Sequence, residues 1–497
     1  MIRKIRILTA GLFFVLITLV FTGVLHPWFG WLAKIQLIPA ILSVNGMMLF
    51  ILAFITLLSG RIYCSVICPL GILQDGISAL SGRRRGKKTR FRYSKAKSWL
   101  RYGVLVLFIA AAMAGVNAVV SLLDPYAAYG RIASSLPAPL FHWGNNLLAR
   151  FAEQVDSYAF YATEVRIKSG ILSGVAAVTL LAIGILAWLN GRTYCNTVCP
   201  VGTVLGFLSR FSIFRLTFDT DKCTKCGRCE RICKASCIDS KNRSIDRSRC
   251  VACFNCMEAC HFNALKYTSV RIGKQKPAEV AGGSAQEGLS RRNLLAVAGA
   301  LALTQVTEAQ QLLQVDGGLA EIKDKKAPDR KTPVVPPGAQ GLKNMQTHCT
   351  ACQLCMSACP ENILHPSVKL ATFLQPEMSY ERGYCRPECT ECSRVCPAGA
   401  IKPVTVADKT GISIGYAVWN RDYCVVNIDR VPCTNCERHC PTKAITLVAL
   451  EPDSKNTLKT PVIDKELCIG CGACEYLCPA RPFSAIYVEG NLRHHSV

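Results

Sequence analysis

The sequence predicts a four-helix transmembrane domain, made of two parallel two-helix repeats, followed by small α+β modules that fold around cysteine-bound metal. Three observations carry this reading. Four long apolar runs stand in the first part of the chain, and 50% of its 497 residues are hydrophobic, which points to a membrane portion. The stretch GRIYCSVICPLG at 60–71 returns as GRTYCNTVCPVG at 191–202, an internal repeat. Finally, 29 cysteines recur in tight groups spaced by two and three residues. Disulfide scaffolds are small secreted domains, so this spacing is that of metal ligands.

The first apolar run is Ile5 to Leu25, interrupted only by Arg6, and the second is Ile35 to Leu58. Tyr102 to Leu123 and Ser169 to Leu189 are the third and fourth. Each is long enough to cross about 30 Å of hydrocarbon at about 1.5 Å per residue. Arg3, Lys4 and Arg6 stand at the first run, and Arg83, Arg84, Arg85, Lys87, Lys88, Arg90, Arg92, Lys95 and Lys97 fill the loop between the second and third. The positive-inside rule makes both segments cytoplasmic, so the loops after the first and third runs face the other side. A net charge of +25 raises nucleic acid as a partner, but the basic loop has only Phe91 and Tyr93 as aromatics. Its position beside apolar segments predicts anionic membrane lipid as the partner and no nucleic acid.

Because each repeat contributes two crossings, both cysteine pairs, Cys64 with Cys68 and Cys195 with Cys199, lie at cytoplasmic helix ends. Each repeat also has an X-Pro step before its external loop, His26-Pro27 and Asp124-Pro125. Four thiols can therefore meet on a pseudo-twofold axis, and two readings stand side by side. The four ligate a redox or other thiolate-metal centre, as facing helices build cofactor sites. Alternatively each pair is a Cys-Pro helix stop packed on the next domain, since CxxxC alone prescribes no cluster. Haem is not expected. Of eight histidines only His26 lies near a predicted membrane helix, and no CxxCH occurs.

After the fourth run the composition turns polar. Cys223, Cys226, Cys229 and Cys233 are spaced CxxCxxCxxxC, and Cys250, Cys253, Cys256 and Cys260 repeat that spacing. Three thiolates on so short a loop hold one [4Fe-4S] cubane while the fourth reaches the partner cluster, the ferredoxin-like arrangement. This pairs Cys223, Cys226 and Cys229 with Cys260, and Cys250, Cys253 and Cys256 with Cys233. Zinc sites separate their CxxC knuckles by a longer finger. Lys234 and His261 stand where bacterial ferredoxins have proline, and the unassigned Cys237 lies four residues beyond Cys233. Its proximity leaves the identity of that fourth ligand open.

Residues 271–289 read as a linker, and Ser290 to Gln305 reads SRRNLLAVAGALALTQ. Arg291 and Arg292 followed by a short small-residue apolar run have the layout of an export signal, of the twin-arginine type that carries folded proteins. An Ala/Leu helix joining two cytoplasmic domains is the rival reading, but the run is short for a spanning helix. Residues 307–345 follow as a Pro/Lys-rich linker expected to lack a packed core. Four more groups then fill 349–478: Cys349, Cys352, Cys355 and Cys359; Cys385, Cys389, Cys392 and Cys396; Cys424, Cys433, Cys436 and Cys440; Cys468, Cys471, Cys474 and Cys478. Each last cysteine precedes a proline, the bacterial-ferredoxin ending. Between them NILHP, GAIKPVTV and KAITLVAL read as flanking strands and turns. Adjacent and nested pairings of these groups remain open. The expected total is six [4Fe-4S] clusters.

Residues 1–215, with two GRxYCxxxCP repeats, and 216–270, with a two-cluster module, together resemble the NapH family of membrane quinol dehydrogenase subunits. From 290–306 onward, the arginine pair, the PPGA run at Pro336 to Ala339 and the four-cluster domain at 346–490 resemble the NapG family of exported polyferredoxins. The chain is similar to a fusion of the two. That resemblance implies a cytoplasmic (inner) membrane protein with a periplasmic C-terminal domain. It implies electron transfer from quinol to a periplasmic oxidoreductase such as nitrate reductase. A NosR-like assembly or regulatory role is the alternative from a different class. No general acid or base and no nucleotide-binding loop stands out, so no substrate chemistry beyond electron transfer is expected.

Overall fold

The computed structural model describes residues 2–84, 91–157, 159–163, 165, 169–269, 315–316, 320–321, 323–450 and 458–497. The chain divides into two compact units. One takes Met1–Gly11, Phe50–Tyr102 and Ser173–Leu312, and the other takes Leu12–Leu49, Gly103–Leu172 and Leu313–Val497. The linker read at 271–289 and the signal-like segment at 290–306, with Arg291 and Arg292, lie outside the described residues.

Ile2–Phe21 and Gly170–Asn190 form unbroken helices of 20 and 21 residues. Among the described residues these two are long and apolar enough to cross a membrane. The second and third apolar runs differ from expectation, because each is broken. Ile35 to Leu58 forms Leu37–Leu42 and then Gly46–Ser59, parted where Val44 takes a left-handed backbone, φ 53. A residue in that conformation cannot continue a right-handed helix. Tyr102 to Leu123 divides into a helix at Ser98–Met113 and another at Asn117–Leu123, parted at Gly115, φ 73.

In the first unit the strand Phe214–Phe218 pairs antiparallel with Leu265–Ser269, with Leu216 opposite Tyr267. Ile238–Asp239 pairs with Ser244–Ile245. These two ribbons enclose a small core of Leu216, Ile238 and Leu265 mixed with Cys229, Cys233, Cys237 and Cys256. Tyr267 donates to the Ser59 carbonyl at 3.0 Å and Ile213 N to Leu57 O at 2.8 Å. The module is thereby tied to the end of the Gly46–Ser59 helix.

In the second unit the longest ribbon pairs Ile412–Trp419 with Ile486–Ser496, and Ile445–Ala449 pairs with Lys459–Ile463. NILHP contributes the strand Leu364–Pro366. GAIKPVTV is not a strand but leads into the helix Val406–Thr410, whose capping box joins Thr405 and Asp408. The Pro/Lys-rich segment at 307–345 is also corrected over its described part. Val334, Val335 and Ala339 are buried core residues. The prolines lack N–H groups, but their neighbours' carbonyls are used: Met378 N donates to Val334 O at 2.8 Å and Lys402 N to Gly338 O at 2.9 Å. Arg330 closes the segment on buried Glu475 at 2.5 Å.

The loops after the first and third apolar runs belong to this second unit. Pro125–Ser135 is buried along nearly its whole length, and Asp124 caps it by accepting from Tyr126 N at 3.0 Å. A side chain at Gly130 would meet Cys352 O at 2.3 Å, so only glycine admits that loop of the cysteine-rich module so close. His26 Nε2 meets Glu391 Oε2 at 3.0 Å.

Candidate iron–sulfur centres

The cysteine loops share one local geometry. In four of the six groups the residues flanking the second cysteine are left-handed: Lys225 and Gly227, Ala252 and Phe254, Ala351 and Gln353, Gly470 and Gly472. These turns curl the loop so that its thiols face one side. A helix of five residues then carries the third cysteine, as in Leu354–Ala358 and Ala473–Leu477. In the two groups with lengthened spacing, Thr390 and Thr434 replace the left-handed residue, with φ −121 and −126.

Three cavities in the C-terminal module show which cysteines meet. Cys349, Cys352, Cys355 and Cys396 line one of about 340 Å³. Cys359, Cys385, Cys389 and Cys392 line a second of about 380 Å³. Cys424, Cys433, Cys436 and Cys478 line a third of about 390 Å³. Cys440 is the electrostatic neighbour of Cys468, Cys471 and Cys474. The first group therefore exchanges its fourth cysteine with the second, and the third with the fourth, an order the sequence left open.

The donor set of these sites fits [4Fe-4S] clusters. Four cysteine sulfurs line each of these three cavities, the all-thiolate donor set such a cluster takes. Burial pushes the Cys352 and Cys471 thiols up to about 12. A thiolate there needs a nearby positive charge, which a metal core supplies. Backbone N–H groups also face the sulfurs: Ala351 N donates to Cys349 Sγ at 3.4 Å and Ala485 N to Cys478 Sγ at 3.3 Å.

In the first unit, Cys256 has Cys253, Cys250 and Cys233 as electrostatic neighbours, and Cys229 has Cys226 and Cys223. The fourth member of the latter set is expected to be Cys260, whose Sγ accepts from Ala264 N at 3.3 Å. Cys237 is fully buried with its Sγ 3.5 Å from Cys233 Sγ, and it also bonds the Cys250 side chain. It stands among the ligands of one predicted cluster.

The two GRxYCxxxCP repeats bring their four thiols together. Burial pushes the Cys68 thiol up, and its neighbours Cys195 and Cys64 add to this; Cys199 is raised by burial, Cys195 and Cys68. Beside them lies a charge cluster that the sequence reading did not single out. Asp75, 13% exposed, meets Lys234 Nζ at 2.5 Å, Arg192 Nε at 2.6 Å and Arg6 Nη1 at 3.2 Å. Burial alone raises the Asp75 carboxyl, but Arg192 and Lys234 overcome this and hold it below the ordinary range. Lys234 is the residue that replaces the ferredoxin proline. The signal for the arginine was its recurrence in both repeats as Gly-Arg-x-Tyr-Cys.

A model described as "4Fe-4S binding domain" matches residues 43–88 and 172–218, thus both repeats. Another of that description matches 216–239, and a "4Fe-4S dicluster domain" matches 429–481. The putative electron transport protein YccM of Escherichia coli is 25% identical over 238 residues, 46% of this chain and 57% of YccM. The ferredoxin-type protein NapH of Haemophilus influenzae is 22% identical over 241 residues, 47% of this chain and 70% of NapH. The methylamine utilization ferredoxin-type protein MauM of Methylobacillus flagellatus is 34% identical over 170 residues, 32% of this chain and 70% of MauM. No solved structure matches. With multiple 4Fe-4S domains and relatives of this kind, the chain belongs to the ferredoxin-type family of MauM and is an iron–sulfur protein of electron transfer.

Proposed function

We propose that this chain is a NapH-like and NapG-like fusion that takes electrons from membrane quinol and passes them through six [4Fe-4S] clusters to a periplasmic oxidoreductase. The carrying observation is the partition of the cysteines. Two ferredoxin groups pack with the GRxYCxxxCP loops in one unit, and four pack with Leu12–Leu49 and Gly103–Leu172 in the other. The latter two segments contain the loops that the positive-inside rule places outside, which supports a periplasmic C-terminal domain delivered by Arg291 and Arg292. A four-span reading requires the broken second and third runs to cross as bent segments. Non-helical backbone is tolerated at membrane depth where protein buries it.

When bound, each cluster takes up and gives back one electron. The protein's residues divide the remaining work. Cys349, Cys352, Cys355 and Cys396 hold one site; Cys385, Cys389, Cys392 and Cys359 hold the next. Cys424, Cys433 and Cys436 with Cys478, and Cys468, Cys471 and Cys474 with Cys440, hold two more. Cys223, Cys226, Cys229 and Cys260, and Cys250, Cys253, Cys256 and Cys233, hold the inner pair. Oxidation of one quinol to quinone releases two protons and two electrons, so two one-electron steps follow each turnover. Cys64, Cys68, Cys195 and Cys199 would hold the thiolate-metal centre that supplies one-electron transfer between the bundle and the inner pair.

Purified protein in liposomes tests this. A menaquinol analogue is expected to bleach the iron–sulfur absorption anaerobically. Reduction by dithionite alone, with none by quinol, would favour the assembly-factor role.

A further inference from the structure

The GRxYCxxxCP loops carry two arginines whose side chains cross between the repeats. Arg61, from the first repeat, donates from Nη2 to the Cys195 carbonyl at 3.2 Å. Arg192, from the second, donates from Nη1 to the Cys64 carbonyl at 2.7 Å. Each also points an N–H at a sulfur: Arg61 Nη2 lies 3.8 Å from Cys64 Sγ and Arg192 Nη1 3.8 Å from Cys195 Sγ. The last glycine of each motif makes room for the opposite arginine. A Cβ on Gly71 would stand 2.6 Å from Arg192 Nη1, and one on Gly202 2.9 Å from Arg61 Nη2.

Among the described residues, carboxylates do not balance the charge of these two arginines. Arg61 is fully buried, and its other described partners are Asn196 Oδ1 at 2.8 Å and Ser248 O at 3.0 Å, neither of them a carboxylate. Arg192 is fully buried too, and it shares Asp75 with Arg6 and Lys234. Buried cations require nearby anions. The groups that face these guanidiniums are the sulfurs, with Cys250 of the inner pair also a neighbour of Arg61, and all four bundle sulfurs accept N–H donors. Gln74 Nε2 donates to Cys195 Sγ at 3.3 Å and Gly202 N to Cys199 Sγ at 3.3 Å, while Gly71 N serves Cys68. Inert buried thiols need no such set of donors, whereas an anionic thiolate-metal centre does.

We propose that Arg61 and Arg192 are the counter-charges of one anionic thiolate-metal centre held by Cys64, Cys68, Cys195 and Cys199, and that as positioning residues they raise its reduction potential. This rests on the reading of those cysteines as a redox centre. An added electron makes the centre more negative, so a guanidinium at the sulfur favours the reduced form. Each repeat supplies the arginine that braces the other repeat's cysteine loop, which makes the centre dependent on both halves.

The test compares Arg61→Gln and Arg192→Gln with Arg61→Lys and Arg192→Lys in the full chain, using metal content and potentiometric EPR. Each glutamine variant is expected to keep the centre's metal and to lower its midpoint by about 60 mV, a tenfold shift in a one-electron equilibrium. Lysine is expected to recover most of this. Equal midpoints in wild type and glutamine variants, or equal shifts for lysine and glutamine, would reduce the arginines to loop braces and overturn the proposal. If glutamine costs the metal, pulsed EPR of wild type labelled with 15N-arginine decides. A 15N coupling that disappears in Cys68→Ser/Cys199→Ser supports the proposal, and no coupling overturns it. Metal content unchanged in that serine variant would remove the centre itself, a failure distinct from that of the arginines.

Discussion

Replacing Asp75 with asparagine should destabilise the first unit strongly, because one nearly buried carboxylate faces three cations. Lys234, Arg192 and Arg6 approach it at 2.5, 2.6 and 3.2 Å. At an effective dielectric of about 20, a unit charge pair near 4 Å is worth about 4 kcal/mol. Removing one partner of a buried pair costs about 3–5 kcal/mol, since the other charge is left uncompensated. Here three are left, so the loss belongs in that range even after the cations' mutual repulsion is counted in the native state. For a unit of this size it corresponds to a fall in melting temperature of roughly 6–20 °C, read from loss of iron–sulfur absorption and from circular dichroism. Lys234→Met alone should cost less, and Asp75→Asn/Lys234→Met should cost less than the two added together, with coupling of about 0.5–3 kcal/mol. The Asp75 carboxyl is held below its ordinary range, so its contribution is full above that range and fades only as pH falls below it. A loss under about 1 kcal/mol for Asp75→Asn, typical of an exposed pair, would refute this reasoning.

Anaerobically purified protein should contain four irons for each of the six ferredoxin-type groups, in addition to any at the GRxYCxxxCP pairs; mostly zinc with little acid-labile sulfide would defeat that assignment. Arg291→Lys/Arg292→Lys should leave residues 349–478 protected from protease in spheroplasts, whereas protection of the wild-type domain would make the segment a linker. Burial lowers His494 from its ordinary value to about 4, with His495 adding to it. Since the unfolded histidine binds its proton first, stability of the C-terminal module should be full above about pH 6.5 and fall progressively towards pH 4. Denaturant midpoints across this range should lose that slope in His494→Gln.

The cysteine chemistry was legible because ligand identity and spacing are written locally: CxxCxxC needs no tertiary contact to be recognised. The same locality explains the flanking strands Leu364–Pro366 and Ile445–Ala449. The pairing order in the C-terminal module was not legible, since Cys396 joins Cys349 only once the loops between them have folded. Apolar composition hid the breaks at Val44 and Gly115, because hydropathy sums over a run and is blind to one backbone conformation. The Val334 to Ala339 segment looked like a linker by its prolines, yet its carbonyls and apolar side chains find partners far along the chain. Lys234 was visible as a departure from the ferredoxin pattern, but its reason, Asp75, lies far along the chain in the helix Pro69–Arg84 that follows the first GRxYCxxxCP loop.

The most direct test of the electron path is the rate at which a menaquinol analogue reduces Cys68→Ser/Cys199→Ser in liposomes. The account predicts that all six ferredoxin-type clusters assemble and respond to dithionite while their reduction by quinol stops. Reduction by quinol at the wild-type rate would take the four cysteines of the GRxYCxxxCP repeats off the path and contradict the account.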